Sequence, residues 1–204
     1  MSAVILVHGV GLWGAEMLPL GCRLRKSGYQ TRQFYYSTRR VSLEQNATYL
    51  QKFLEAEEAD IIHFVGHSLG GLLIYKLFQD YPQQRRGKIV TLGTPHNGSS
   101  LAYRLSRQYG GKFLLGRSVM TGLFDTISPP PNRDVGIIAG SLDIGTGWLL
   151  RVPQPNDSLI SVEETRADGV NQHLVLPVSH TGLLVAPTVA KQICTFLKTG
   201  HFLK

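Results

Sequence analysis

One serine in this chain stands where its neighbours could make it a nucleophile. Gly66-His67-Ser68-Leu69-Gly70 follows the apolar run Ile61-Ile62-His63-Phe64-Val65 and precedes Gly71-Leu72-Leu73-Ile74-Tyr75-Lys76-Leu77-Phe78. An apolar strand, G-x-S-x-G and a helix in that order form a nucleophile elbow. The turn forces its serine into a strained backbone conformation, and only small flanking residues avoid collision with the strand and helix beside it. The serine then sits at a helix N-terminus, where free N–H groups favour developing negative charge. The chemistry expected of such a serine is acyl transfer through a covalent intermediate.

A serine hydroxyl needs a base, an acid to orient that base, and donors for an oxyanion. His180 lies in Pro177-Val178-Ser179-His180-Thr181-Gly182, a loop between the last strand and the last helix, and is the expected base. His173 lies inside the predicted strand, where a packed imidazole is the ordinary reading, and His201 lies near the terminus. Two aspartates follow the preceding strand. Asp157, in Pro155-Asn156-Asp157-Ser158-Leu159-Ile160, is preferred as the acid; Asp143, behind Gly140-Ser141-Leu142, also reads as a turn-forming residue. The oxyanion donors are expected to be the N–H groups of Leu69 and Val10. His8 is a candidate substrate contact or a structural hydrogen-bonding group of its loop. Trp13 and Trp148 are candidate walls of an acyl pocket, or packing residues. His63 is expected to point away from the crevice, and His67 to shape the elbow. Neither a metal nor a cofactor is called for.

The remaining elements have to bring these loops together. Strands are predicted at Ala3–Val7, Thr31–Tyr35, 61–65, Lys88–Leu92, Val135–Ala139 and His173–Leu176. Helices are predicted at Ala15–Lys26, with Met17, Leu18, Cys22 and Leu24 at helical spacing, at Leu43–Glu58, after the elbow, and at Leu183–Leu197. Apolar strands alternating with amphipathic helices predict an α/β three-layer sandwich around a mostly parallel sheet of about six strands. Sites in such sheets lie at the carboxyl ends of the strands, where His8, Ser68, Asp157 and His180 all fall. Residues 98–130 exceed a plain connection and are expected to form a lid or pocket wall. The 204 residues suit one domain, 1–204.

Composition narrows the class. Hydrophobic residues make up 43% and charged residues 17%, which describes a globular chain. No apolar run is long enough to cross a bilayer. The apolar start lacks a basic region and a cleavage site and reads as a core strand, so a cytoplasmic protein is expected. Cys22 and Cys194 fit no disulfide framework and are expected to be buried free thiols. The net charge of +7 is regional: residues 61–120 carry eight basic side chains against Asp80 alone. That excess points to anionic substrates or surfaces, and Arg104, Arg107, Lys112 and Arg117 place part of it in the 98–130 excursion, where peripheral contact with an anionic lipid surface is expected. No nucleic-acid-binding motif accompanies it.

His8-Gly9, Gly66-His67-Ser68-Leu69-Gly70, Thr91-Leu92-Gly93-Thr94-Pro95-His96-Asn97-Gly98-Ser99 and Asn156-Asp157-Ser158 together resemble the α/β-hydrolase superfamily, closest to small bacterial triacylglycerol lipases and esterases. The resemblance implies a minimal fold without the superfamily's first two strands. It also implies a carboxylic-ester hydrolase acting on a small-molecule or lipid ester, with Ser68, Asp157 and His180 as triad. An acyl-CoA thioesterase or acyltransferase on the same triad is the alternative, and a non-catalytic binding scaffold a further one.

Overall fold

In the computed structural model, which describes residues 2–11, 13–123 and 127–203, six parallel strands form one sheet. They are β1 (Ser2–Val7), β2 (Gln30–Phe34), β3 (Ile61–His67), β4 (Ile89–Leu92), β5 (Val135–Gly140) and β6 (Gln172–Leu176), in the spatial order β2-β1-β3-β4-β5-β6. Every neighbouring pair is parallel, so the sheet is wholly rather than mostly parallel. The chain leaves β1 toward one edge and returns on its other side as β3. Loops therefore diverge where the carboxyl ends of β1 and β3 meet, the usual place for a binding crevice in such sheets. Register brings Val7 beside Gly66, and His67 beside Leu92. The residues following these strand ends are thus adjacent before any side chain is placed.

Alternation within the strands divides the core. Ala3, Ile5 and Val7 of β1 pack with Ile62, Phe64 and Ile89 under α2 (Leu43–Glu55) and α3 (Leu69–Asp80). Val4 and Leu6 pack with Val65, Val90, Leu92 and Ile138 under α1 (Leu18–Lys26), α8 (Gly182–Val185) and α9 (Pro187–Thr199). A strand buried on both faces is apolar at nearly every position, as β1 and β5 are. Ser42 caps α2: its hydroxyl accepts from Gln45 N–H, and the Gln45 side chain accepts from Ser42 N–H.

Several sequence expectations shift. The apolar face of the first helical segment is Met17, Leu20, Gly21 and Leu24, leaving Leu18 half exposed and Cys22 on the surface. Cys22 is therefore an exposed rather than a buried thiol, and Cys194 is partly buried; both are free. Pro19 starts α1 in its first turn, after a 3-10 turn at Ala15–Met17. The closing helix is two helices. Ala186 is extended because Pro187 follows it, and Pro187 then opens α9.

The long excursion holds three short helices, α4 (Ser100–Ser106), α5 (Gly111–Leu115) and α6 (Arg117–Gly122); residues 124–126 lie outside the described set. Its far end is fixed to the body. Arg117 and Ser118 N–H donate to the carbonyls of Arg39 and Thr38. The Asn46 side-chain amide donates to the Ser118 hydroxyl and to Ser37 O. Leu43 N–H donates to the Thr121 hydroxyl. By contrast α5 holds Phe113 and Leu114 largely in solvent.

The first turn of α3 rests directly on the end of β1. A Cβ at Gly70 would lie 2.6 Å from the His8 carbonyl oxygen and closer still to that of Val7. Both obstacles are backbone and cannot swing away. Gly70→Ala is expected to lower stability by about 1–3 kcal/mol in urea titration. An unchanged midpoint would contradict this packing.

Candidate active site

Ser68 occupies the turn between β3 and α3 at φ 53°, ψ −123°, a left-handed conformation rare for a side chain with a Cβ. β4 holds it there: Ser68 N–H donates to Leu92 O, and the buried Thr94 hydroxyl donates to Ser68 O. The side chain is partly accessible to solvent. Leu69 is the first residue of α3, so its N–H belongs to the turn that has no intrahelical acceptor. On the other side lies the loop after β1, close enough that a Cβ at Gly9 would be 2.9 Å from Ser68 Cβ. Val10, in that loop, is 44% exposed.

Asp157 and His180 form one unit. Asp157 Oδ2 lies 2.7 Å from His180 Nδ1, and His180 N–H donates to Asp157 O at 2.8 Å, so both backbone and side chain fix the imidazole. The carboxylate is fully buried, and its Oδ1 accepts from the N–H groups of Leu159 and Ile160. A tight turn closed by Asn156 and Ser161 presents it. With Nδ1 engaged, Nε2 is the nitrogen available for proton transfer. Gly93 lies under the pair; a Cβ there would come within 2.9 Å of Asp157 Oδ2 and 3.0 Å of His180 Nδ1. Asp143 instead accepts from Gly145 N–H, Gly147 N–H and the Gln154 amide. Desolvation opposes its ionisation, but those bonds outweigh it and hold its pKa below the ordinary carboxylate value. It is a turn-forming residue one loop away, in contact with the Asp157 turn through the Ser158 hydroxyl.

The other histidines serve the scaffold. His67 Nε2 lies 3.1 Å from His180 O, so that nitrogen donates, and the two rings are 4.5 Å apart. This contact brings His180 beside the residue that precedes Ser68. Burial, then the nearby His180, pushes the His67 pKa well down. His8 stacks on Tyr36, accepts from Tyr36 N–H at Nε2, and has Nδ1 2.7 Å from Gly9 O. Both its nitrogens are thus committed to its own loop and the neighbouring strand end, and burial lowers its pKa. His63 accepts from Lys88 N–H, and burial pushes it down to about 4. His96 pairs with the Thr91 hydroxyl, stacks on Tyr75, and is pushed down to about 3, again chiefly by burial. His173 lies 2.9 Å from the Thr165 hydroxyl.

Trp13 and Trp148, expected as pocket walls, are both largely exposed. Trp13 lines a groove of about 960 Å³ that begins at His8 and Gly11; Trp148, on α7 (Thr146–Leu149), does not line it. Two contributors were not singled out from the sequence. Thr94 locks the elbow, and the largely buried Glu164 ties α4 to the body by accepting from Ser100 N–H and Ser161 N–H. Ser161-Val162-Glu163-Glu164 has the spacing of a capping box, and both its bonds form: Ser161 N–H donates to Glu164, and Glu164 N–H donates to the Ser161 hydroxyl. Among the described residues no cluster of side chains could hold a metal ion, and no helix is long and apolar enough to cross a membrane.

No family model and no curated protein matches the chain. Solved structures do. The mature form of the Bacillus licheniformis lipase BlEst2 superposes with a TM-score of 0.75 at 17% identity, over 98% of this chain and 92% of that one. The pyrethroid hydrolase PytH gives 0.70 at 16% identity over 98% of both chains. Phospholipase PlaB from Legionella pneumophila gives 0.67 at 15% identity, over 98% of this chain and 61% of that one. The chain has the fold of these hydrolases. At such low identity the likeness concerns architecture, and what it supports is the expected α/β fold around a parallel sheet.

The buried imidazoles give the fold a pH dependence of definite sign. Their folded pKa values lie below the ordinary 6.5, so between those values the unfolded chain binds more protons. Stability is full above 6.5 and falls as pH drops through it toward the folded value of about 4 for His63. Urea midpoints are expected to decrease from pH about 7.5 to about 5, with a shallower decrease when His63 and His96 are both changed to Gln. A midpoint that holds or rises on acidification would contradict this.

Proposed function

We propose that this protein is a serine hydrolase of carboxylic esters, working through an acyl-enzyme on Ser68, His180 and Asp157. The observation that carries the reading is the buried Asp157–His180 pair, linked through His67 to a serine held in a strained turn at a helix N-terminus. Lipase and hydrolase neighbours of the same fold support it.

His180 Nε2 takes the hydroxyl proton as Ser68 Oγ attacks the carbonyl carbon, while Asp157 holds the imidazole in the required tautomer. The N–H groups of Leu69 and Val10 receive the oxyanion. Collapse expels the alcohol, which takes its proton from His180. A water then gives a proton to His180 and attacks the acyl group, and collapse returns the proton to Ser68 as the carboxylic acid leaves. In this reading the chain is one domain, α4 to α6 wall the site, and a cytoplasmic setting suits the free thiols Cys22 and Cys194.

An acyl-CoA thioesterase or acyltransferase on the same serine is the second reading, favoured by the cations lining the groove beside the β1 loop. Rates on an oxygen ester and on the acyl-CoA of the same chain length separate the two.

Purified protein is expected to hydrolyse p-nitrophenyl esters. Ser68→Ala and Asp157→Asn should each lower kcat by roughly a thousandfold or more with the fold intact by circular dichroism. Full activity in Ser68→Ala would overturn the assignment. Full activity in Asp157→Asn would remove Asp157 from it.

A further inference from the structure

The sequence places its positive excess in residues 61–120, but much of that charge has structural partners. Arg85 donates to the carbonyls of Leu54, Glu57 and Ala59 at the end of α2. Lys76 pairs with Asp80, and Lys88 with Asp134. Arg104 donates to Leu150 O, and Arg107 lies over Tyr103. Lys112 and Arg117 are different. They line the groove that starts at His8 and Gly11, and Arg39 and Arg40 join them from a part of the sequence with nearly balanced charge.

All four cations are exposed, and among the described residues none that lines the groove is acidic. Glu44 acts on Arg117, and Glu16 on His8 and Tyr36, but neither carboxylate lines the groove. Aromatic rings stand among these cations: Trp13 and Phe113 are largely exposed, Tyr35 half exposed, and the Arg39 guanidinium lies 5.2 Å from the centre of the Phe113 ring. Cations gathered in a concave site attract an anion more strongly than the same charges on a flat face, because the low-dielectric walls focus the field. Guanidinium forks match phosphate oxygens in particular. The rings offer contact to an apolar chain. The backbone beneath is fixed, since Arg117 N–H donates to Arg39 O and a Cβ at Gly116 would lie 2.7 Å from Arg39 Cα. Two of the cations are therefore carried on one braced frame.

From this groove we infer the substrate class: acyl substrates that bear a phosphate group, bound by Arg39, Arg40, Lys112 and Arg117 beside the β1 loop. The inference rests on the ester-hydrolase reading for the reacting bond, and on the groove alone for the anion.

The test uses 2-(butyryloxy)ethyl phosphate and its uncharged dimethyl triester, which present the same scissile ester with and without charge. The wild-type protein is expected to favour the phosphate by about tenfold in kcat/KM at low salt, with the ratio falling as salt is added. Arg39→Glu combined with Arg117→Glu should bring the ratio to one or below. Arg40→Glu with Lys112→Glu, checked for folding by circular dichroism, should do the same. Lys198→Glu on α9 should leave the ratio as in the wild type. Binding of the phosphate ester to Ser68→Ala is measured separately and should weaken about tenfold with either double substitution. That arm judges the groove even where both esters prove inert, a result that would sink the hydrolase reading instead. A wild-type ratio near one, a ratio indifferent to both double substitutions, or unchanged binding would overturn the proposal. So would a charge preference seen only on phosphatidylglycerol vesicles, which would place the anion on a membrane surface. Butyryl-CoA turnover that depends on the same arginines would identify a thioester as the phosphate-bearing source; dependence confined to the oxygen ester would identify an ester.

Discussion

A left-handed residue with a side chain costs on the order of 1–3 kcal/mol and persists only where its surroundings over-determine it. Ser68 is such a residue, and its surroundings come from three strands. β3 delivers it, β4 holds its amide through Leu92 and its carbonyl through Thr94, and the end of β1 lies against its Cβ at Gly9. Glycine at position 70 permits the β1 contact, and the strand order β1-β3-β4 makes it available. The elbow is therefore a product of the whole parallel sheet and not of the pentapeptide by itself.

A second constraint acts from the far side of the sheet. The turn at Asp157 grips the 180 loop twice, by backbone and by carboxylate, and His67 grips it a third time through His180 O. Each contact fixes a main-chain position as well as a side chain. Burial then keeps the surrounding imidazoles His8, His67 and His96 neutral, so they can accept and donate hydrogen bonds without placing a positive charge beside the site. Polar groups committed in this way contribute rigidity rather than proton transfer.

Much of this was legible in the sequence because the signals are local. Apolar runs such as Val4–Val7 and Ile61–Val65 mark buried parallel strands, and G-x-S-x-G between strand and helix marks its own turn. Asp157 and His180 could be named from loop position, yet their contact is tertiary and only the structure supplies the 2.7 Å distance. What failed to show had no period to carry it. On α1 the apolar residues fit more than one phase because the helix is short, and the buried face excludes Leu18 and Cys22. Thr94 fixes Ser68 and Glu164 fixes Ser100 through bonds to residues 26 and 64 positions away. The charge surplus pointed to residues 61–120, whereas the groove draws two of its four cations from Arg39 and Arg40, because folding and not sequence proximity decides which charges share a surface.

The central claim is that this frame makes Ser68 a nucleophile. Intact-mass and peptide-mapping mass spectrometry after treatment with a fluorophosphonate tests it without assuming any substrate. The account predicts one adduct per folded chain, carried by the peptide that contains Ser68 and absent from heat-unfolded protein. A folded protein that takes up no adduct, or takes it up at another residue, would contradict it.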